Sequence, residues 1–156
     1  MDGGREKMDR EQLLGGWRLV SFVYESDDGS QFFPYGREAK GLIIYEAGGC
    51  MSAVITRSDR VRLSTEDFGL LPDHEKIALA KGFMNYAGTY EVLEDRIMHH
   101  IEIGYFPNWA GTTFIRFPSV HDDYLTLTTP PAYLRGKHYT GRLVWQKVQP
   151  SNESTV

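Results

Sequence analysis

Two adjacent histidines, His99 and His100, lie in a run whose alternate members are apolar or aromatic: Ile97, Ile101, Ile103 and Tyr105. Neighbouring residues of a strand point to opposite faces, so these two imidazoles cannot chelate one metal ion together. The row 97, 99, 101, 103, 105 reads as the interior face, which puts His99 inside and His100 outside beside Glu102. An enclosed imidazole is either a hydrogen-bonded core residue or, with an ordinary pKa of about 6.5, a general acid or base. Tyr105, on the same row, is a second candidate for donating or accepting a proton. Arg116 is the third candidate catalytic residue. If Phe114 faces inward, Arg116 follows it and needs a carboxylate, carbonyl or enolate partner; if Ile115 and Phe117 face inward, Arg116 is solvated.

Aromatic side chains are abundant, at 13% of the chain. Tyr35, Tyr45, Tyr90, Phe106, Trp109, Phe114 and Trp145 recur at strand ends and in loops, and Met51 is grouped with them. Such residues either pack a core or wall a flat pocket in which tyrosine hydroxyls orient a ligand. Asn108, in the loop Phe106-Pro107-Asn108-Trp109, either bonds its own backbone in a turn or lines the mouth of that pocket.

Other chemistries lack their motifs. Cys50 is the single cysteine, which excludes an intrachain disulfide, and no histidine shares its motif as an activating base. Ser52 is not in a nucleophile elbow. Gly15-Gly16 precedes a strand rather than a helix, the wrong context for cradling phosphate. His74, His121 and His138 fall in loops without metal-ligand spacing, so neither a metal nor another cofactor is expected.

The elements that must position these residues are mostly strands. Asp9-Arg10-Glu11-Gln12 fits a capping box for one helical turn ending at Gly15-Gly16. Strands follow at 17–24, 41–46, 51–56, 88–93, 96–106, 111–117, 124–129 and 139–147. One helix interrupts them, expected over about 73–86, with Asp73 as its cap after Pro72 and with Ile77, Ala80 and Met84 at helical spacing. Eight strands at this spacing suit an all-β, antiparallel β-barrel with room for side chains or one small ligand. Arg142 is placed to stack on Trp17 at the closed floor of such a barrel.

With 156 residues the chain suits one core, here the single domain 11–148, with polar tails 1–8 and 149–156 expected to be flexible. A net charge of −4 argues against nucleic acid or an anionic membrane as partner. No apolar stretch opens the chain as a secretory signal would, and no window is long enough for a membrane span, which points to the cytoplasm.

Gly16-Trp17-Arg18-Leu19-Val20-Ser21, Pro34-Tyr35-Gly36 and Gly49-Cys50-Met51-Ser52-Ala53 resemble the bacterial and fungal lipocalin-like domain family. Tyr86-Ala87-Gly88-Thr89-Tyr90, His99-His100-Ile101-Glu102, Phe106 to Thr112, the 125–131 run and Leu143-Val144-Trp145 extend the resemblance over roughly residues 11–147. The resemblance implies a lipocalin-like eight-stranded barrel and, because similar small barrels act in secondary metabolism, a cofactor-free cyclase or isomerase. Its substrate would be a largely apolar, polyketide- or terpenoid-like molecule. Two alternatives stand beside that expectation: a non-catalytic carrier or sensor of a small molecule, and a barrel packed solid by its aromatics. A small molecule is the expected partner; homodimerisation is left open.

Overall fold

The computed structural model describes residues 8–150. A short helix, α1 (Arg10–Leu13), opens them and ends against a long first strand, β1 (Gly15–Ser26). After it come β2 (Gln31–Phe32), β3 (Lys40–Tyr45), β4 (Cys50–Thr56), helix α2 (Asp73–Lys81), β5 (Phe83–Val92) and β6 (Ile97–Gly104). The chain finishes with β7 (Thr113–His121), β8 (Tyr124–Thr128), β9 (Ala132–Leu134) and β10 (Lys137–Lys147).

Every strand pairs antiparallel with its neighbours, in the order β1-β3-β4-β5-β6-β7-β8-β10, and β10 returns to pair with β1 along its length. The sheet is therefore a closed barrel of eight strands; β2 and β9 are short additions that pair with β1 and β10. Closure removes the unpaired edges that an open sheet would present. The alternation of apolar residues in the sequence maps onto this geometry, since one face of each strand fills the interior. On β4 the buried members are Met51, Ala53 and Ile55; on β5 they are Met84, Tyr86, Gly88 and Tyr90.

The two ends differ. Tight turns at 46–49, 93–96 and 122–123 join strands at one end, which α1 also covers. Asp9 caps α1 through the expected box with Gln12, and Leu13 is fully buried. Trp17 donates its indole N–H to the Leu13 carbonyl at 2.9 Å, tying helix to strand at this closed end. Lys147, not Arg142, lies over the Trp17 ring, 4.6 Å from its centroid. Arg142 is exposed on β10, level with Val23 of β1, too far along the strand to reach Trp17. The longer connections, 27–39, 57–82, 105–112 and 129–136, all gather at the opposite end and form the mouth.

The expected helix over 73–86 is shorter than its pattern. α2 ends at Lys81, Gly82 forms its C-cap, and Met84 belongs to β5, where it pairs with Ile55 of β4. Its N-cap is Pro72 without a side-chain hydrogen bond, and Asp73 sits in the first turn. Tertiary pairing overrides local periodicity here. Of the tails expected at 1–8 and 149–156, residues 1–7 and 151–156 lie outside the described residues, whereas Met8 packs into the core. Among the described residues no helix is long and apolar enough to cross a membrane.

One glycine is indispensable to the closure. Gly88 sits at a bulge between β5 and β6, and a Cβ built there would lie 1.9 Å from the His100 carbonyl oxygen. Gly88→Ala should lower unfolding stability by about 2–3 kcal/mol, as overpacking a rigid interior does. Chemical denaturation with unchanged midpoint would refute the close approach.

Candidate functional site

The barrel encloses a cavity of about 510 Å³ that opens among the mouth loops. Phe22, Tyr24, Ile43, Ala53, Ile55, Met84, Leu127 and Leu143 wall it from the strands, with Trp145 toward the closed end. Pro34, Tyr35, Trp109 and the 130–132 segment surround its entrance. Trp109 meets Phe114 edge-on at 5.4 Å, and Phe114 meets Tyr86 edge-on at 5.3 Å. Tyr35 stacks on Phe22 at 6.0 Å. The result is a flat-sided, largely aromatic space of the size that small-molecule sites occupy.

Behind one wall lies a buried polar chain. His99 is fully buried, and its Nε2 and Nδ1 stand 2.7 Å from the Tyr45 hydroxyl and 2.9 Å from the Tyr86 hydroxyl. Burial, then the positive charges of Arg116 and His100, hold the His99 pKa well below its ordinary value of 6.5, so the ring is neutral. A neutral imidazole has one N–H and one lone pair. The Tyr45 hydroxyl is buried, with His99 as its one hydrogen-bond partner among the described residues. Its proton has nowhere else to go, so Tyr45 donates to Nε2. Nδ1 then carries the ring proton and donates to the Tyr86 oxygen. Tyr86, which lines the cavity, is left with its own O–H free to donate inward. Burial raises the pKa of both tyrosines, which keeps these hydroxyls protonated at neutral pH.

Arg116 resolves its two alternatives inward. It pairs across the sheet with fully buried Ile97, its guanidinium lies 5.2 Å from the Phe114 ring centroid, and it lines the cavity. It donates from Nη1 to the neighbouring Ile115 carbonyl at 2.8 Å and also hydrogen-bonds the Tyr86 hydroxyl, and no carboxylate among the described residues forms an ion pair with it. Its charge is felt at Tyr86, where it opposes the effect of burial.

The remaining candidates divide by place. Tyr35, Trp109, Phe114 and Trp145 line the cavity with Arg116. Tyr45 sits behind the wall with His99, and neither reaches the cavity surface. Met51 is core, and Tyr90 is buried toward the closed end with its hydroxyl donated to the Glu46 carbonyl at 2.8 Å. Tyr105 points away from the cavity and donates to the Ala80 carbonyl, fastening the end of β6 to α2. Phe106 is exposed and packs on Tyr105 and Trp109, and Asn108 is exposed in a turn of 3-10 helix over Pro107–Trp109. His100 faces outward as expected, but it bonds Thr113 and Glu91 on the flanking strands rather than Glu102.

The sequence reading omitted Tyr86, the residue that links the buried chain to the cavity. Its signal was the period-two series Met84, Tyr86, Gly88, Tyr90, hidden because the helical pattern was carried through residue 86. Trp145 holds a further surprise: its indole N–H is the one buried side-chain polar atom without a partner among the described residues. Among those residues no group of three His, Cys, Asp or Glu side chains is placed to hold a metal ion.

Fold and cavity define a small-molecule-sized barrel, and comparison with known proteins names its class. Residues 14–148 match the family model described as the lipocalin-like domain, and the chain belongs to that family. It is also similar to the 4'-hydroxy-3'-methoxypropiophenone carrier protein ppsC of Aspergillus oryzae (strain ATCC 42149 / RIB 40), with 27% identity over 107 residues covering 63% of this chain and 96% of the relative.

Keeping His99 neutral has a measurable consequence. In the unfolded chain its imidazole takes up a proton as pH falls through about 6.5, while in the fold it does not. The unfolded state then binds more protons, so stability declines on acidification, by at most about 1.4 kcal/mol per pH unit from this group. Denaturation midpoints of the wild type should fall from pH 7 toward pH 5 more steeply than those of His99→Gln. Parallel slopes would contradict a neutral His99.

Proposed function

We propose that this protein is a carrier or sensor that binds one small, flat, largely apolar molecule in the barrel and releases it unchanged. The observation that carries the reading is the cavity itself: about 510 Å³, walled by aromatic and aliphatic side chains, with a few donors placed at defined points. Those donors are the Tyr86 hydroxyl and the Arg116 guanidinium. Each suits an oxygen acceptor. A buried donor left unsatisfied costs about 1–3 kcal/mol, which an acceptor on the ligand would offset.

Carriage fits the geometry better than catalysis because the strongest potential base is out of reach. Both His99 ring nitrogens are engaged by tyrosines, and the ring lies behind the wall. The named ligand of the relative, a hydroxy- and methoxy-substituted aryl ketone, is of a kind that this cavity suits, a flat ring bearing oxygen acceptors. A cofactor-free isomerase or cyclase is the second reading. It is favoured by one feature, the Tyr86 hydroxyl beside Arg116, an acid next to a cation that would stabilise an enolate.

The two readings separate in one assay. With 4'-hydroxy-3'-methoxypropiophenone as probe, tryptophan fluorescence should saturate and chromatography should return the compound unaltered. Tyr86→Phe should weaken binding about 2–10-fold, the worth of one neutral hydrogen bond. Phe114→Ala should weaken it about tenfold or more through lost ring contact. A catalytically formed isomer that disappears in Tyr86→Phe would favour the second reading; no saturable binding by this or a comparable aryl compound would overturn both.

A further inference from the structure

Among the described residues, Arg116 is the only charged one on the cavity wall. Guanidinium groups enclosed by protein are nearly always matched by a carboxylate or phosphate, because removing a cation from water without a counter-charge is unfavourable. Here the described residues supply a main-chain carbonyl, the Tyr86 hydroxyl oxygen and the face of Phe114, and no anion. Most of the five guanidinium N–H donors stay uncommitted. The Tyr86 O–H, directed by the His99 chain, is free to donate beside it. The positive field also reaches Tyr24, Tyr45 and His99, so the interior as a whole is biased toward negative charge.

We propose that the cavity selects ligands that carry an anionic oxygen on a flat apolar body, held by Arg116 with the Tyr86 hydroxyl as second donor. A phenol or enol that enters neutral becomes a stronger acid there, since the cation stabilises its conjugate base; the proton leaves to solvent through the open mouth. This rests on the small-molecule reading above and narrows it to a charge class. A neutral ligand of the same shape would keep the ring contacts and forgo the ion pair.

Three probes of nearly equal size test the assignment by equilibrium dialysis read from probe absorbance: p-nitroanisole, p-nitrophenol and p-nitrobenzoate. Above the pKa of free p-nitrophenol, its anion should bind the wild type about tenfold or more tighter than p-nitroanisole, as a charge-assisted contact warrants. Bound p-nitrophenol should also turn to its coloured phenolate at lower pH than the free compound does. Arg116→Gln should abolish both effects while lowering p-nitroanisole affinity by no more than the few-fold worth of one neutral hydrogen bond, and an unchanged denaturation midpoint is the control for an intact fold. The ranking of p-nitrophenol against p-nitrobenzoate tells whether the charge arrives as a phenolate or a carboxylate, and either supports the proposal if it exceeds p-nitroanisole. Equal affinity for all three, or an anion preference that survives Arg116→Gln, overturns it with the small-molecule reading intact. If none of the three binds, that underlying reading is what fails.

Discussion

The structure turns on one buried imidazole. His99 has no access to water, so each of its nitrogens must be satisfied by protein, and each is satisfied by a tyrosine hydroxyl from a different strand. β3, β5 and β6 are thereby joined through the interior as well as through their backbone ladders. Burial keeps the ring neutral, neutrality divides it into one donor and one acceptor, and the enclosed Tyr45 decides which nitrogen is which. The direction of the chain, from Tyr45 through His99 to Tyr86, follows from these constraints alone. A hydroxyl proton is delivered to the cavity as a consequence of satisfying a core.

That chain meets a second asymmetry on the cavity wall. Arg116 is half-buried at the cavity surface, which limits the desolvation of its charge, yet it is enclosed enough for the charge to act on the interior. The aromatic lining has a low polarity that strengthens such a field. On the proposed reading, hydrophobic walls, one cation and one oriented hydroxyl discriminate ligands by charge and shape, and none of these groups needs to turn a substrate over. The same groups explain why binding and weak acid chemistry are neighbouring possibilities in one barrel, separated by whether a base can reach the ligand.

The distribution of loops supports this division of labour. The closed end uses tight turns, a capped helix and the Trp17–Leu13 bond to close the floor. The mouth receives the long connections, including the excursion over 57–82 with α2, whose apolar residues Val61, Phe68, Leu70 and Ile77 remain exposed. Tyr105 anchors that excursion to β6, a structural task for a residue whose face and type had suggested proton transfer.

Much of this was legible in the chain itself. Alternation of apolar residues identified the strands, their number and the all-β class, and it placed His99 inside and His100 outside, because side chains alternate faces along a regular strand. Past Ile101 a bulge against β5 breaks that parity, and Ile103 and Tyr105 leave the interior row. The Asp9–Gln12 box was a local signal and appears as read, whereas the first strand starts at Gly15, two residues before the expected Trp17. Parity, however, names a face and never a partner. Which hydroxyls meet His99, one of them 54 residues earlier in the chain, depends on strand register and tilt around the closed barrel. The same register turned Arg116 inward with Phe114, drew Met84 and Tyr86 out of a helical pattern into β5, and left Tyr45, Met51 and Tyr90 behind the cavity rather than on it. Sequence alone determined the container and its interior histidine; only the tertiary structure decided which groups face the space inside, since that is settled by contacts between residues far apart in the chain.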